Sequence, residues 1–203
     1  MSFKKLIAPL KEAIAQNGFE EPLAFQKKIL SKIKGGASMF AVAPAGAGKT
    51  TSLVLSVIQK LNAEAFEDAP RALIFVKDKQ AALELEAQFK AFKNGSDLRV
   101  YCAYDENNID VQIGEIYVGT DVVIATPKRL SKLFFLNGIN LNKLQLFAVD
   151  DAEFLPGTNA FVEVSRIPVS LGKCQYLIFA EKLDKRFARW QETFMANAEV
   201  VEE

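Results

Sequence analysis

The feature that most constrains the fold of this chain is a glycine-rich loop, residues 43–50, that joins two apolar segments. An apolar run at residues 39–42 precedes the loop and a segment with helical periodicity, residues 51–61, follows it, so the order is strand, loop, helix. Glycine lets backbone N–H groups converge on an anion, and the N-terminal end of the helix adds its positive dipole. The loop therefore predicts a phosphate site. The alternative, a glycine-rich turn with an accidental lysine, is disfavoured by the strand and the helix on either side.

Two side chains at the end of this loop carry the chemistry that bound phosphates need. In this pattern Lys49 reaches the β- and γ-phosphates, and the hydroxyl of Thr50 is a ligand of Mg²⁺. Lys49 is accordingly a candidate catalytic residue and Thr50 a candidate metal ligand. The residues expected to contact the phosphates are Ala45, Gly46, Ala47, Gly48, Lys49, Thr50 and Thr51.

Beyond the loop, apolar strand-like runs alternate with helical segments. The predicted strands cover residues 72–76, 98–103, 122–125, 144–149, 175–179 and 199–201, and the predicted helices cover residues 80–92, 108–117, 128–136 and 184–196. Two further helices precede the loop, at residues 3–17 and from Pro22 to the glycines at 35 and 36. Apolar strands separated by helices indicate a three-layer α/β/α domain with a mainly parallel sheet. We expect one domain, with N-terminal helices in residues 1–36 and the core in residues 37–203.

Composition narrows the classes of function. The 25 Lys and Arg residues balance the 25 Asp and Glu residues, so any nucleic-acid site must be a local patch. The chain has no histidine, which excludes a histidine-based triad or a histidine-containing zinc site. Cys102 and Cys174 lie in apolar surroundings without C-x-x-C spacing, which favours buried thiols over a disulfide or a metal site. No stretch resembles a secretory signal or a membrane span, so a soluble cytoplasmic protein is expected.

A second, acidic element is expected to complete the phosphate site. Residues 146–149 form an apolar strand that ends in carboxylates at Asp150, Asp151 and Glu153, as a Walker B segment does. Since ligands bind beyond the carboxyl ends of strands in an open parallel sheet, this segment and the loop emerge at the same edge. Asp150 can then bind Mg²⁺, and Asp151 can orient or deprotonate water. Taken alone, an acidic strand end is more often a helix cap or a solvated turn.

Four motifs in this order resemble those of one protein family, the DEAD-box RNA helicases. Residues 18–26 resemble the family's Q motif, and residues 43–50 fit its A-x-x-G-x-G-K-T loop. Residues 126–130 are similar to T-P-G-R-L, and residues 149–153 stand in the place of V-D-E-A-D. The resemblance runs from about residue 3 to residue 201. It corresponds to the N-terminal RecA-like lobe, which has the P-loop NTPase fold, without the second lobe of a complete helicase.

The resemblance implies ATP and Mg²⁺ as cofactors and single-stranded RNA as a partner. Gln26 would read the adenine edge, because an amide both donates and accepts hydrogen bonds. Phe19, or Phe3, would pack nearby, with ordinary core packing as the alternative. Thr126 and Arg129 would contact the sugar-phosphate backbone of RNA, which positions a strand without reading its sequence. For Arg129 the alternative is a solvated residue in the first turn of its helix.

Several positions depart from the family pattern. Asp151 replaces the expected catalytic glutamate, and a displacement of about 1 Å in a positioned group can cost on the order of 10²-fold in rate, so weak or absent hydrolysis is expected. Residues 180–182 read Ala-Glu-Lys in place of Ser-Ala-Thr and lack both hydroxyls of the motif that links hydrolysis to strand separation.

The motifs that face RNA in the family have changed as well. Three lysines at or beside those positions are predicted to hold phosphates by charge, with ordinary solvated lysines as the alternative: Lys77, Lys79 and Lys128.

Functions from different classes remain open. The first is the nucleotide-binding lobe of an RNA helicase, which alone is not expected to unwind duplexes, because in the family a second lobe supplies arginines at the γ-phosphate. The second is a non-catalytic module that binds nucleotide and engages RNA or a partner protein. A structural remnant with an unused phosphate site is disfavoured by the intact loop.

Overall fold

The computed structural model describes residues 3–203, in which seven strands form a single sheet. The strands are β1 (Met39–Val42), β2 (Ala72–Phe75), β3 (Val100–Ala103), β4 (Val122–Ala125), β5 (Leu146–Val149), β6 (Gln175–Ala180) and β7 (Glu199–Glu202). Their order across the sheet is β3-β4-β2-β5-β6-β1-β7, and each pair of neighbours is parallel. The prediction of a mainly parallel sheet is confirmed.

Helices connect the strands and precede the first of them. They are α1 (Ala8–Gln16), α2 (Ala24–Lys34), α3 (Lys49–Lys60), α4 (Lys79–Phe92), α5 (Ile109–Gly119), α6 (Pro127–Phe135), α7 (Asn159–Arg166) and α8 (Ala188–Gln191). Short 3-10 turns lie at Phe3–Lys5, Ala152–Phe154, Ile167–Ser170 and Lys185–Phe187. None of these helices is long and apolar enough to span a membrane.

The inner strands bury side chains on both faces of the sheet. Along β1, Ala41 belongs to one apolar core and its neighbour Phe40 to the other, as the two-residue period of a strand requires. Helices α1–α4 cover the first face, where Phe25 and Phe89 are fully buried. Helices α5–α8 cover the second face, where Trp190 is buried. The predicted three-layer α/β/α architecture is therefore confirmed.

The helix predicted at residues 184–196 is wrong over most of its length. The segment forms a 3-10 turn and the four-residue helix α8, followed by turns. The hydroxyl of Thr193 donates to the carbonyl of Arg189 at 2.9 Å, and the Thr193 N–H pairs with the Trp190 carbonyl instead. Because a threonine hydroxyl competes with the helical ladder in this way, the helix ends early.

Three further expectations differ in detail from the structure. Helix α7 has no counterpart among the predicted helices, because its eight residues make only about two turns, too few for apolar spacing to distinguish a helix from a loop. The first predicted helix starts later, at Ala8, with Pro9 in its first turn, where the missing N–H breaks no helical bond. Both cysteines are free, but only Cys102 is fully buried, whereas Cys174 is half-buried.

A buried ionic cluster holds the amino edge of the sheet. Asp121 is fully buried, and its carboxylate accepts from the Arg71 guanidinium at 2.7 Å and from Arg99 Nε at 2.9 Å. The Phe66 N–H also donates to it, at 3.0 Å. Burial opposes ionisation of Asp121, but the hydrogen bonds from Arg99 and Arg71 outweigh it and lower the pKa. The cluster ties the loop before β2 to β3 and β4.

Candidate nucleotide site

The glycine-rich loop joins β1 to α3 at the carboxyl edge of the sheet. Gly46 and Gly48 both adopt left-handed backbone conformations, with φ of 83° and 82°. A Cβ on Gly48 would lie 2.5 Å from the side-chain amide nitrogen of Gln26, whereas a Cβ on Gly46 would meet nothing within 4 Å. Glycine is favoured at 48 because left-handed φ is costly for other residues, and a Cβ there would also displace the Gln26 side chain from its place against the loop.

Lys49 is the first residue of α3 and is buried beneath the loop. Its ammonium donates to the carbonyl of Ala43 at 2.8 Å and to that of Pro44 at 3.1 Å. An ammonium has three donors, so one N–H remains for a ligand. The arrangement holds a positive charge beneath the loop.

Thr50 and Asp150 meet beside the loop, although they come from different elements. The Thr50 hydroxyl is 3.1 Å from one carboxylate oxygen of Asp150 and 3.3 Å from the other. Burial and the nearby charge of Asp151 raise the pKa of Asp150 to about 7. A divalent cation bound here would favour the ionised carboxylate, because an opposite charge lowers the pKa.

A cavity of about 340 Å³ opens above the loop. Its lining brings most of the predicted phosphate-binding residues together with Asp151: Ala45, Gly46, Gly48, Lys49, Thr50, Thr51, Asp151 and Glu181. Ala47 is not part of the lining, and its N–H bonds to the Pro44 carbonyl at 3.3 Å. Asp151 has a left-handed backbone, with φ of 47°, which aspartate tolerates better than most residues. Burial raises the pKa of Asp151, Lys49 opposes the shift, and Glu153 and Glu181 add to it.

Gln26 lies against the loop from the side of α2. It is 4% exposed, its Oε1 accepts from the Leu23 N–H at 2.9 Å, and its Nε2 donates to the Gly48 carbonyl at 3.3 Å. Phe19 is half-exposed and packs against Phe92 with 5.9 Å between ring centroids. Phe19 does not line the cavity, so its contact with a base stays a prediction. Phe3 is buried in the first core.

A second depression holds most of the residues predicted to bind RNA. It is lined by three exposed lysines, by Thr126 and by four carboxylates: Lys77, Asp78, Lys79, Asp105, Glu106, Thr126, Pro127, Lys128, Ala160 and Glu163. The Thr126 hydroxyl oxygen is buried and, among residues 3–203, has no hydrogen-bond partner. Lys79 Nζ lies 5.2 Å from the centre of the Tyr104 ring. The patch carries charges of both signs.

Arg129 does not lie on that surface. It is 4% exposed, and its guanidinium donates to the Asp105 carbonyl and, at 3.1 Å, to the Asn107 carbonyl. The alternative of a solvated first-turn residue is therefore wrong. Arg129 is buried because its guanidinium supplies hydrogen-bond donors to carbonyl groups of the loop after β3, which need them. Sequence spacing alone gives no signal for this contact.

Glu153 and Glu181 form a link that sequence reasoning missed. The Glu153 carboxylate accepts from the backbone N–H of Glu181 and, at 3.2 Å, from that of Lys182. It thereby connects the segment after β5 to the segment after β6. The sequence showed that the expected hydroxyls are absent at residues 180–182, but a contact made by backbone N–H groups leaves no trace in residue types.

Comparison with known proteins identifies the family. A family model described as DEAD/DEAH box helicase matches residues 23–179, so the chain belongs to that family. It is 29% identical over 184 residues to the ATP-dependent RNA helicase DBP10 of Phaeosphaeria nodorum, an alignment that covers 89% of this chain and 21% of that protein. It is 32% identical over 149 residues to the pre-mRNA-processing ATP-dependent RNA helicase PRP5 of Lodderomyces elongisporus, covering 70% of this chain and 15% of that protein.

A solved structure shares the fold. The crystal structure of a DEAD box protein from the hyperthermophile Methanococcus jannaschii superposes with a TM-score of 0.92 over 100% of this chain and 56% of that chain, at 21% identity. The chain thus spans about a fifth or less of the length of the two helicases and just over half of the chain in that structure. Together these matches confirm the resemblance to a RecA-like N-terminal helicase lobe.

Proposed function

We propose that this chain binds an adenine nucleotide with Mg²⁺ at the loop between β1 and α3, as the N-terminal lobe of an RNA helicase or a close relative of one. The observation that carries the proposal is the meeting of Thr50 and Asp150. They are 100 positions apart in the sequence, and their oxygens are 3.1 Å apart beside the cavity that Lys49 lines.

The residues present fit a magnesium nucleotide. Hydroxyl and carboxylate oxygens suit Mg²⁺, which usually takes one or two carboxylates from a protein and completes its shell with phosphates and water. When bound, the ion would neutralise charge on the phosphates. Lys49 would donate its remaining N–H to a phosphate, and the loop backbone would supply further N–H donors. Asp151 lines the same cavity and would orient water.

Gln26 supports the choice of adenine. Its amide is buried beside Gly48, and each end of the amide makes one hydrogen bond within the protein. One N–H donor and one acceptor lone pair remain for the edge of a base. In this proposal residues 1–36 carry the adenine-reading helices and residues 37–203 carry the phosphate-binding core.

Calorimetric titration with the magnesium complexes of ATP, ADP and GTP tests the proposal. We expect dissociation constants in the micromolar-to-millimolar range for the two adenine nucleotides and weaker binding of GTP, whose base edge presents a different pattern of donors and acceptors. Absence of binding by all three nucleotides would contradict it.

We propose further that hydrolysis is weak, because Asp151 is one methylene shorter than the glutamate of the family motif. Asp151→Glu is expected to raise ATP turnover by up to about 10²-fold, since a positioned group misplaced by about 1 Å costs that much. Phosphate release in steady state measures the effect, with Asp151→Asn as the matched control that removes the charge and is not expected to gain activity. If turnover in Asp151→Glu stays at the wild-type level, the short carboxylate is not the limiting defect.

We propose that the depression beside α6 binds single-stranded RNA through its phosphates. Lys77, Lys79 and Lys128 are exposed there, and Thr126 borders the same depression with a buried hydroxyl that has no hydrogen-bond partner among residues 3–203. Contacts of this kind are independent of sequence and weaken with salt, because binding releases counterions from the nucleic acid.

Replacing Lys77, Lys79 and Lys128 together with glutamate is expected to weaken single-stranded RNA binding by roughly tenfold or more at about 50 mM salt, and to flatten the salt dependence. Fluorescence anisotropy with a labelled oligonucleotide measures both. A matched control changes Lys11, Lys60 and Lys173, which lie outside this depression, to glutamate. Equal affinity of the wild type and the first variant at low salt would refute the RNA site.

A second candidate function, a nucleotide-binding module that engages a protein in place of RNA, is favoured by one observation. Four carboxylates share the depression with the three lysines: Asp78, Asp105, Glu106 and Glu163. Such a mixed surface suits a partner of mixed charge better than a uniformly negative strand. The RNA titration distinguishes the two candidates.

A further inference from the structure

Glu181 occupies a position between the two halves of the nucleotide site. It follows β6, which pairs with β1 on one side and with β5 on the other. The Ala180 carbonyl accepts from the Ala43 N–H at 3.0 Å, so residue 181 begins beside the start of the glycine-rich loop. Asp150 and Asp151 follow β5 on the other side. The topology therefore places Glu181 at the carboxyl edge, between the loop and the acidic segment.

The backbone at Glu181 is fixed by hydrogen bonds, whereas its side chain makes none among the described residues. The Glu153 carboxylate accepts from the N–H groups of Glu181 and Lys182, which fixes the course of the segment. The side chain of Glu181 is exposed, and within residues 3–203 it makes no ion pair or hydrogen bond. Glu181 lines the same cavity as Lys49 and Asp151, and its charge is one of those that raise the pKa of Asp151.

The charged side chains that line this cavity carry a net negative charge. Among the residues that line it, Lys49 is the one cation, whereas Asp151 and Glu181 are both carboxylates. Two of the three Lys49 donors are already used by loop carbonyls. Each phosphate that a ligand adds beyond the loop brings further negative charge toward the two carboxylates, and like charges in a partly enclosed site repel.

We propose that Glu181 is a specificity-determining residue of the nucleotide site, whose carboxylate weakens the binding of a nucleoside triphosphate relative to a diphosphate. The inference rests on the proposed function, since it assumes that adenine nucleotides bind at this loop. In this proposal the third phosphate, which is the one farthest from the base, lies toward the part of the cavity that Glu181 lines. A diphosphate lacks this third phosphate and would therefore be repelled less.

The test compares wild type with Glu181→Gln, which keeps the side-chain shape and removes the charge. Affinities for Mg-ADP and Mg-ATP are measured by calorimetry at low and high salt. In Glu181→Gln, ATP is expected to bind roughly three- to tenfold more tightly, with ADP affinity nearly unchanged, as for one unit charge at short range in a solvated site. The gain should shrink as salt rises, because ions screen exposed charges. Glu12→Gln, the same change at an exposed position on α1, is expected to alter neither affinity.

The outcomes separate this inference from the function on which it rests. If ADP binds and the ratio of ATP to ADP affinity is the same in Glu181→Gln as in wild type, the inference is overturned and the proposed function stands. Weaker ATP binding in Glu181→Gln also overturns it, because that result means that the carboxylate assists the triphosphate by holding Mg²⁺ or water. If neither nucleotide binds to either protein, both the inference and the proposed function fail.

Discussion

Replacing Asp121 with alanine is expected to lower the free energy of unfolding by about 3–5 kcal/mol, the usual cost of removing one partner of a buried ion pair. Asp121 is fully buried, and the side chain of its partner Arg71 is only 8% exposed. Without the carboxylate, that guanidinium is left in the interior with no anion to offset its charge, and the N–H of Phe66 loses its acceptor. Urea denaturation followed by circular dichroism measures the change.

The matched control is Asp110→Ala. Asp110 is an exposed aspartate in the first turn of α5, where its charge interacts with the helix dipole, and its removal should cost only about 0.3–1 kcal/mol. A loss of similar size for Asp121 and Asp110 would show that the buried cluster contributes little to stability.

The same cluster predicts a pH dependence. The pKa of Asp121 is lower in the folded chain than its ordinary value of 3.8, so its ionisation stabilises the fold at neutral pH. That contribution is complete above the unfolded-state pKa and is lost as the pH falls through the folded-state pKa. The stability difference between wild type and Asp121→Ala should therefore narrow below about pH 4. A constant difference down to pH 2 would contradict this assignment.

Lys49→Ala is expected to weaken the binding of Mg-ADP and Mg-ATP by roughly 10- to 100-fold, which corresponds to the 1.5–3 kcal/mol typical of hydrogen bonds to charged groups. The ammonium lies beneath the loop and lines the cavity, so its loss removes the one cation from that lining. Calorimetry measures the affinities, and a thermal melt reports whether the carbonyls of Ala43 and Pro44, left without their donor, disturb the fold.

Lys60→Ala provides the control, because Lys60 is the last residue of the same helix α3 and is exposed at the opposite end. It removes an identical charge and should leave nucleotide affinity unchanged. Nucleotide binding that survives in Lys49→Ala with wild-type affinity would place the ligand elsewhere on the molecule.

Much of the fold could be predicted because its signals are local. The apolar runs of β1 to β6 predict strands by their composition. Helices such as α4 and α6 are predicted by their periodicity and by the polar or proline residues at their starts. Helix α7 and the segment after α8 could not be predicted in this way. Helix α7 is only eight residues long, which is too short for its apolar spacing to identify it. In the segment after α8, a threonine hydroxyl takes a carbonyl from the helical ladder.

The candidate site also has features that local sequence predicts and features that only the tertiary structure shows. The sequence by itself determined that the chain has a phosphate-type loop with Lys49 and Thr50, an acidic strand end at Asp150, and the motif order of a DEAD-box lobe, because each of these depends on neighbours in the chain. The tertiary structure alone decided the strand order, the buried position of Arg129, the contact of Gln26 with Gly48, and the position of Glu181 in the cavity lining beside Lys49. Those contacts join residues from separate elements, and the spacing of residue types along a chain does not encode which strands become neighbours.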